Sequence, residues 1–134
     1  MLSSALTTLG ANAFENSDGI EITEIPANIV EIPSKCFIKC PNININTFGD
    51  DNSKLTTIRD QAFRNAGKNK GPIDNLYLGR KIVTLGSRAF NPYGSDSGIK
   101  AVYTPNRAED VSWADDLADI FGSYDVIVNY ETDI

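Results

Sequence analysis

Few side chains in this 134-residue chain could do chemistry, and one type is missing altogether. The sequence contains no histidine, which removes the commonest general base and the Ser-His and Cys-His pairs of nucleophilic catalysis. Paired carboxylates could still act in glycoside hydrolysis. The neighbouring carboxylates are Asp50/Asp51, Asp115/Asp116 and Glu21/Glu24. All fall in predicted loops or on solvated faces, so we predict no catalytic residue and no enzyme activity.

Cys36 and Cys40 are the only cysteines. Structural zinc takes four ligands, and this pair supplies half of such a site because no histidine and no second cysteine pair exist. The oxygen-rich segments 49–53 and 94–98 have turn composition but lack the spacing of an EF-hand calcium loop. We therefore predict no metal and no cofactor. Both cysteines are interpreted as inert core thiols, with a disulfide between them as the alternative.

The cysteines lie in a motif that recurs along the chain. Two apolar residues three positions apart are followed by a small residue and then phenylalanine. The four copies end in Ala13-Phe14, Cys36-Phe37, Ala62-Phe63 and Ala89-Phe90, so the phenylalanines stand 23, 26 and 27 residues apart. Such a period indicates a solenoid, because each coil must present the same side chains to its neighbours. We predict that the four phenylalanines stack inside it.

Each coil is predicted to contain a strand, a turn and a short helix-like return. Alternating apolar residues predict strands at 20–26, 43–45, 73–78 and 99–105. The returns carry the phenylalanine motif. Polar segments predict loops along one edge at 49–54, 68–72 and 91–98.

The pattern changes after residue 105, where no further Ala-Phe pair follows. Asn106 is predicted to cap a helix over 107–121 that ends at Gly122. Residues 124–130 are predicted to form a strand that closes the sheet edge. We therefore predict a solenoid of about four coils over 1–105, with the first coil incomplete, and a C-terminal cap of the same domain over 106–134.

Four residues are predicted to point outward from the strands and to line up along the sheet: Glu24, Asn44, Tyr77 and Tyr103. The two tyrosines carry most weight, because tyrosine combines apolar area with a hydroxyl and is enriched at interfaces. These four are the predicted binding residues. The alternative is an ordinary, partly covered sheet face.

Charge and hydropathy exclude two classes of partner. The formal net charge is −6, and no Lys/Arg cluster is present to displace counterions from a nucleic acid, so none is expected to bind. No apolar run approaches the roughly 18 residues of a spanning helix, so this segment is not expected to insert into a membrane. The first six residues also lack the length and basic start of a secretory signal.

The repeat resembles the BspA-type leucine-rich repeat of bacteria and protozoa, whose coil runs Leu-x-x-Ile-x-Ile-Pro-x-x-Val-x-x-Ile-Gly-x-x-Ala-Phe. Residues 25–40 follow this pattern closely, with Pro33 at the glycine position and Cys36 at the alanine position. The likeness covers about residues 2–105. It implies an α/β repeat solenoid, wound as a right-handed leucine-rich-repeat coil, with a parallel sheet on one face and a C-terminal helix-plus-strand cap.

The resemblance also implies recognition rather than catalysis. Members of the family are expected on the cell surface or among secreted proteins, where a protein or glycan ligand would be bound in adhesion or host interaction. The alternative is a structural spacer or assembly segment of a larger particle, such as a phage tail or a cell-envelope array. Fold alone does not choose the ligand.

Overall fold

The computed structural model describes residues 6–43, 45–49, 52–70, 73–94, 99–122 and 125–132. Within these ranges the chain forms a solenoid, and every pair of neighbouring strands is parallel. The strands are β1 Glu31–Ile32, β2 Thr47–Phe48, β3 Thr57–Ile58, β4 Asn75–Leu78, β5 Thr84–Leu85, β6 Ala101–Tyr103 and β7 Ile127–Asn129. A 3-10 helix spans Ala108–Asp110 and the helix α1 spans Leu117–Phe121. The predicted fold class, a parallel-stranded repeat solenoid, is confirmed.

Strands of successive coils build two parallel sheets rather than the single predicted one. A 3-stranded sheet has the order β1-β3-β5, and a 4-stranded sheet has the order β2-β4-β6-β7. The 3-stranded sheet is formed by the apolar steps that the sequence assigned to the return. In β3, Thr57 is half-exposed and Ile58 is buried, but two residues are too few to show a strand period. The buried Leu55, three positions before Ile58, instead imitates a helical spacing.

Two of the predicted strands form within their ranges, as β4 and β6. The strand predicted at 43–45 was wrong, because β2 begins two residues later, at Thr47. The strand predicted at 20–26 was also wrong. There the Ile20 N–H donates to Ser17 O, 3.5 Å away, in a local turn, and Pro26 has no N–H to give to a ladder.

Each phenylalanine motif lies in a turn. Its N–H groups donate alternately to a carbonyl of the next coil and to the carbonyl three residues back in the same turn. The predicted helix-like return was therefore wrong. The Phe37 N–H donates to Ala62 O in the next coil at 2.9 Å, whereas the Ile38 N–H donates back to Lys35 O at 3.4 Å. Alternation of this kind needs left-handed backbone at every fourth residue. The non-glycine residues with positive φ in these turns are Asn12, Asn16, Lys35, Lys39, Gln61, Asn65 and Arg88. Each costs roughly 1–2 kcal/mol, which the hydrogen bonds between coils offset.

The predicted phenylalanine column is confirmed. Ring centroids are 5.4 Å apart for Phe14 and Phe37, 5.3 Å for Phe37 and Phe63, and 5.4 Å for Phe63 and Phe90, with the rings nearly parallel. Phe121 continues the column at 5.9 Å from Phe90. Phe14 is half-buried at one end, whereas the other four rings are fully buried. The column therefore spans the described length of the solenoid.

The helix predicted over 107–121 forms only over its last residues, as α1 Leu117–Phe121. Val111 has extended backbone, and the Ser112 N–H donates to Val83 O at 2.9 Å, just as the Val83 N–H donates to Thr56 O at 3.1 Å in the previous coil. In a helix over 107–121 the Ser112 N–H would bond within the helix and could not donate to Val83 O. Fully buried Trp113 follows at once, so packing and hydrogen bonding override the helical spacing of the apolar residues.

The same segment completes a further coil in register. The Phe90 N–H donates to Ile120 O at 2.9 Å, which repeats the bond from Phe63 to Ala89 O, and β7 pairs with β6 where a strand of the next coil belongs. The predicted strand in 124–130 is thus present at Ile127–Asn129. Asn106 does not cap a helix, and its Nδ2 donates to Ile82 O at 3.3 Å. Gly122 does end α1, with a φ of 79°.

The Tyr93 hydroxyl takes the place of strand-to-strand hydrogen bonds at Ile45, just before β2. Its ring is fully buried against Phe63 and Phe90. Its hydroxyl donates to Ile45 O at 2.6 Å and accepts from the Ile45 N–H at 2.9 Å. Burial raises the pKa of Tyr93, so the hydroxyl keeps its proton and remains a donor. One side chain thereby satisfies both backbone groups of a buried residue.

Cys36 and Cys40 are free and fully buried, as expected for core thiols. Cys36 occupies the small inward position that Ala62 and Ala89 fill in later coils, and Cys40 Sγ donates to Phe14 O at 2.8 Å. Burial, with a smaller contribution from the nearby Cys40, raises the pKa of Cys36 from 9.0 to about 12. Burial also raises the pKa of Cys40.

Phe63→Ala is expected to lower the free energy of unfolding by about 3–5 kcal/mol, because it removes a fully buried ring that contacts four other aromatic rings. Phe14→Ala serves as the matched change at the half-buried end and should cost less. Urea denaturation measures both. Equal costs would contradict the column as a shared core, and Phe63→Leu replaces Phe63→Ala if the latter does not fold.

Tyr93→Phe is expected to lower the free energy of unfolding by about 1–3 kcal/mol, because it leaves the buried N–H and C=O of Ile45 without a partner. Tyr103→Phe removes a hydroxyl from a half-exposed ring and should change stability little. Thermal denaturation compares the two variants. A loss of similar size in both would show that the Tyr93 hydroxyl has no special role.

Stability is expected to fall between about pH 9 and pH 12 partly through Cys36. In that window the folded protein keeps the thiol proton and the unfolded chain releases it, so each rise in pH favours unfolding. Cys36→Ala places the alanine of the later coils at this position and should flatten the decline. Urea denaturation at pH values through the window gives both slopes, and parallel slopes would contradict the prediction.

Candidate binding surface

The outward side of the 4-stranded sheet carries two rows of aligned side chains, here called the outer face. One row is Thr47, Tyr77, Tyr103 and Asn129, and the other is Asn75, Ala101 and Ile127. These residues alternate with the core residues of the same strands. In β4, for example, Leu76 and Leu78 are buried on either side of Tyr77.

Tyr77 and Tyr103 lie directly beside each other on neighbouring strands, as predicted. Their ring centroids are 5.0 Å apart and the ring planes differ by 17°. Each ring therefore covers one face of the other. Both tyrosines remain half-exposed.

Of the other two predicted binding residues, the structure describes only one, and it does not join this pair. Glu24 lies in an exposed bend between Phe14 and Phe37, outside both sheets. Asn44 lies outside the described residues. The residue aligned with Tyr77 on β2 is Thr47, three positions beyond Asn44, because β2 begins at Thr47 rather than within 43–45. A role for these residues in binding stays a prediction.

Ile127 is a surface residue that the sequence reasoning missed. Its side chain is 64% exposed, more than the other exposed large hydrophobic residues, Val30 and Val83. It aligns with Ala101 and so adds apolar area diagonally across from Tyr103 on the same face of the sheet. The run Val126-Ile127-Val128 is apolar throughout, so periodicity alone does not say which side chain faces outward.

The carboxylates considered for catalysis show no arrangement that favours it. Glu21 is exposed and forms an ion pair with Lys70 at 3.7 Å, and Asp115 and Asp116 are exposed. Asp50 and Asp51 lie outside the described residues. Among the side chains that the structure places, no group of three or more His, Cys, Asp or Glu could hold a metal ion.

The described helices are short, and none is long and apolar enough to cross a membrane. The longest, α1, has 5 residues and serves the core through Ile120 and Phe121. The most distinctive outward feature of the two-sheet solenoid is the stacked tyrosine pair.

Comparison with known proteins gives one match. The family model described as BspA type leucine-rich repeat region, with 6 copies, matches residues 1–95. No curated protein and no solved structure matches the chain. The matched region contains all four phenylalanine motifs and the strands β1 to β5. The chain therefore belongs to the BspA-type leucine-rich repeat family.

Proposed function

We propose that this chain is a non-catalytic binding module that recognises a protein ligand through the outer face. The observation that carries the proposal is the stacked Tyr77–Tyr103 pair, 5.0 Å apart, with the exposed Ile127 beside it. The family is one of repeat modules for binding or surface interaction, which supports the class of function.

Preorganisation favours this surface as a binding site. Tyr77 and Tyr103 already restrict each other by stacking, so a ligand would pay little side-chain entropy to contact them. Tyrosine also has few rotatable bonds for the area it offers. The strands beneath are fixed by the buried Leu76 and Val102, so the outer face keeps its shape when a partner docks.

The stacking favours a protein ligand over a glycan. A sugar ring packs best on the open face of an aromatic ring, but each tyrosine gives one face to the other. The remaining ring faces point along the row, toward Thr47 on one side and Asn129 on the other. A half-exposed tyrosine pair offers apolar ring and hydroxyl together, which suits the mixed apolar and polar contacts of protein interfaces.

The proposed module belongs to a protein outside the cell or on its surface. Membership of the BspA-type family supports placing this module in a surface-exposed or secreted protein, where it would take part in adhesion or host interaction. The absence of a spanning helix among the described residues is compatible with that role for this segment.

The test is a protein array and a glycan array probed with the purified domain, followed by affinity measurements on any ligand found. Tyr77→Ser with Tyr103→Ser is expected to weaken binding to a protein ligand at least about tenfold, since central tyrosines are common hot spots. The melting temperature should change little, because both rings are half-exposed.

Val30→Ser with Val83→Ser is the matched control, since these side chains are 48% and 36% exposed and belong to segments next to the other sheet. It should leave binding intact. Unchanged affinity in the tyrosine variant would overturn the proposed surface. Binding to a glycan instead would contradict the proposal of a protein ligand. Absence of binding on both arrays would favour the structural spacer.

A further inference from the structure

Two neighbouring turns of this acidic chain carry cations and no carboxylates. Residues 33–49 and 61–73 include neither aspartate nor glutamate, although the whole chain has 18 of them and a formal net charge of −6. The basic residues of these two stretches are Lys35, Lys39, Arg64, Lys68 and Lys70. They are dispersed in the sequence, and the stacking of successive coils brings them together.

Hydrogen bonds place the two turns directly against each other. The Lys39 N–H donates to Arg64 O at 2.9 Å. Lys68 lies beside the residues that follow Lys39, because the Asn69 N–H donates to Pro41 O at 2.9 Å. The outward side of these turns is here called the basic turn face, and its residues are Lys35, Lys39, Arg64 and Lys68.

The four cations of the basic turn face have no carboxylate partner. Two are exposed and two are half-exposed. Within the described residues none of them forms an ion pair, whereas five other cations do, namely Arg59, Lys70, Arg88, Lys100 and Arg107. The two carboxylates closest in sequence are engaged elsewhere, since Glu31 pairs with Arg59 and Asp60 Oδ1 accepts from the Ser87 N–H at 3.0 Å.

Arg64 has hydrogen-bonding capacity that the fold leaves unused. Its Nη1 donates to Gln61 Oε1 at 3.1 Å, which restrains the guanidinium, and its buried Nε has no acceptor among the described residues. Guanidinium groups bind carboxylates through two parallel N–H···O bonds, which are roughly twice as strong as bonds between neutral groups. Arg64 is therefore the strongest carboxylate-binding group of the basic turn face.

The surroundings favour an acidic protein segment over a sulfated glycan or a nucleic acid. Bases stack on exposed aromatic rings, but Phe37 and Phe63 in these turns are fully buried. A polymer charged along its whole length would also lie over exposed carboxylates further along the solenoid, at Glu15 on one side and Asp119 on the other. A protein segment can place a few carboxylates between uncharged residues and avoid this repulsion.

We infer that the basic turn face binds a segment of a partner protein in which a short run of aspartate or glutamate is flanked by uncharged residues. One carboxylate would bind the guanidinium of Arg64, and its neighbours would lie among the ammonium groups of Lys39 and Lys68. The surface lies on the turns and not on the 4-stranded sheet, so the inference stands apart from the proposed role of the outer face.

The first experiment compares two labelled peptides by fluorescence anisotropy, one with four glutamates and one with four glutamines between the same Gly-Ser pairs. Only the acidic peptide is expected to bind, and less tightly as salt rises. Nuclear magnetic resonance should show that it shifts amide signals within 35–39 and 64–68. Absence of binding, or shifts confined to other segments, would overturn the inference.

The class of ligand is tested with a heparin hexasaccharide and a single-stranded DNA oligonucleotide at the same concentration of charge. Both are expected to bind less tightly than the acidic peptide. Tighter binding of either would overturn the choice of a protein segment. Self-association in sedimentation velocity that Lys39→Gln with Lys68→Gln abolishes would assign the face to a second copy and would also overturn it.

Lys39→Gln with Lys68→Gln is expected to weaken binding of the acidic peptide at least about tenfold and to reduce its salt dependence. Both side chains are exposed, so the melting temperature should change little. Lys54→Gln with Lys100→Gln removes the same charge away from these turns and is the matched control, with affinity near that of the parent. Equal losses in the two variants would indicate attraction by net charge alone and would overturn the site.

Arg64→Lys keeps the charge and removes the fork of parallel donors. It is expected to weaken binding of the acidic peptide about threefold or more. Arg107→Lys makes the same change outside the turns and should leave the affinity unchanged. Urea denaturation reports any loss of folding separately. Parent-like affinity in Arg64→Lys would overturn the role assigned to the guanidinium.

Discussion

The distance between neighbouring coils governs this structure. Parallel chains joined by hydrogen bonds lie about 4.7–4.9 Å apart, and here that spacing is set by bonds such as Phe37 N–H to Ala62 O. Inside, it brings equivalent phenylalanines to 5.3–5.4 Å, a distance suited to stacking. Outside, it brings Tyr77 and Tyr103 to 5.0 Å. The core and the candidate binding surface are therefore consequences of one repeat distance.

Sequence reasoning succeeded where identical side chains recur and failed where backbone hydrogen bonds decide. The phenylalanine column could be predicted because each ring needs an equivalent neighbour. The turns were not predicted, because the left-handed positions differ in residue type from coil to coil. Asn12, Asn16 and Asn65 are of a type that adopts left-handed backbone readily. Lys35, Gln61 and Arg88 at such positions give no sign of it. The helix predicted over 107–121 begins only at Leu117 for a related reason: Ser112 belongs to a ladder between coils that local periodicity does not record.

The candidate site could also be predicted only in part. Tyr77 and Tyr103 lie on strands long enough to show alternation, so their outward direction and alignment followed from the pattern. β2 has only 2 residues, and a strand placed too early selected Asn44 instead of Thr47. Ile127 was hidden within an apolar run, and only its pairing with Ala101 reveals its side of the sheet.

The segment after residue 105 makes the same kinds of contact as the coils before it. Its contacts with the preceding coil include the Ser112 N–H, the Ile120 carbonyl, the Phe121 ring and the strand β7, each of which repeats a contact made by an earlier coil. Duplication or loss of a whole coil upstream would present the segment after residue 105 with an unchanged packing partner. The number of coils before residue 105 can therefore change by recombination between repeats, without any compensating change in the segment that follows them.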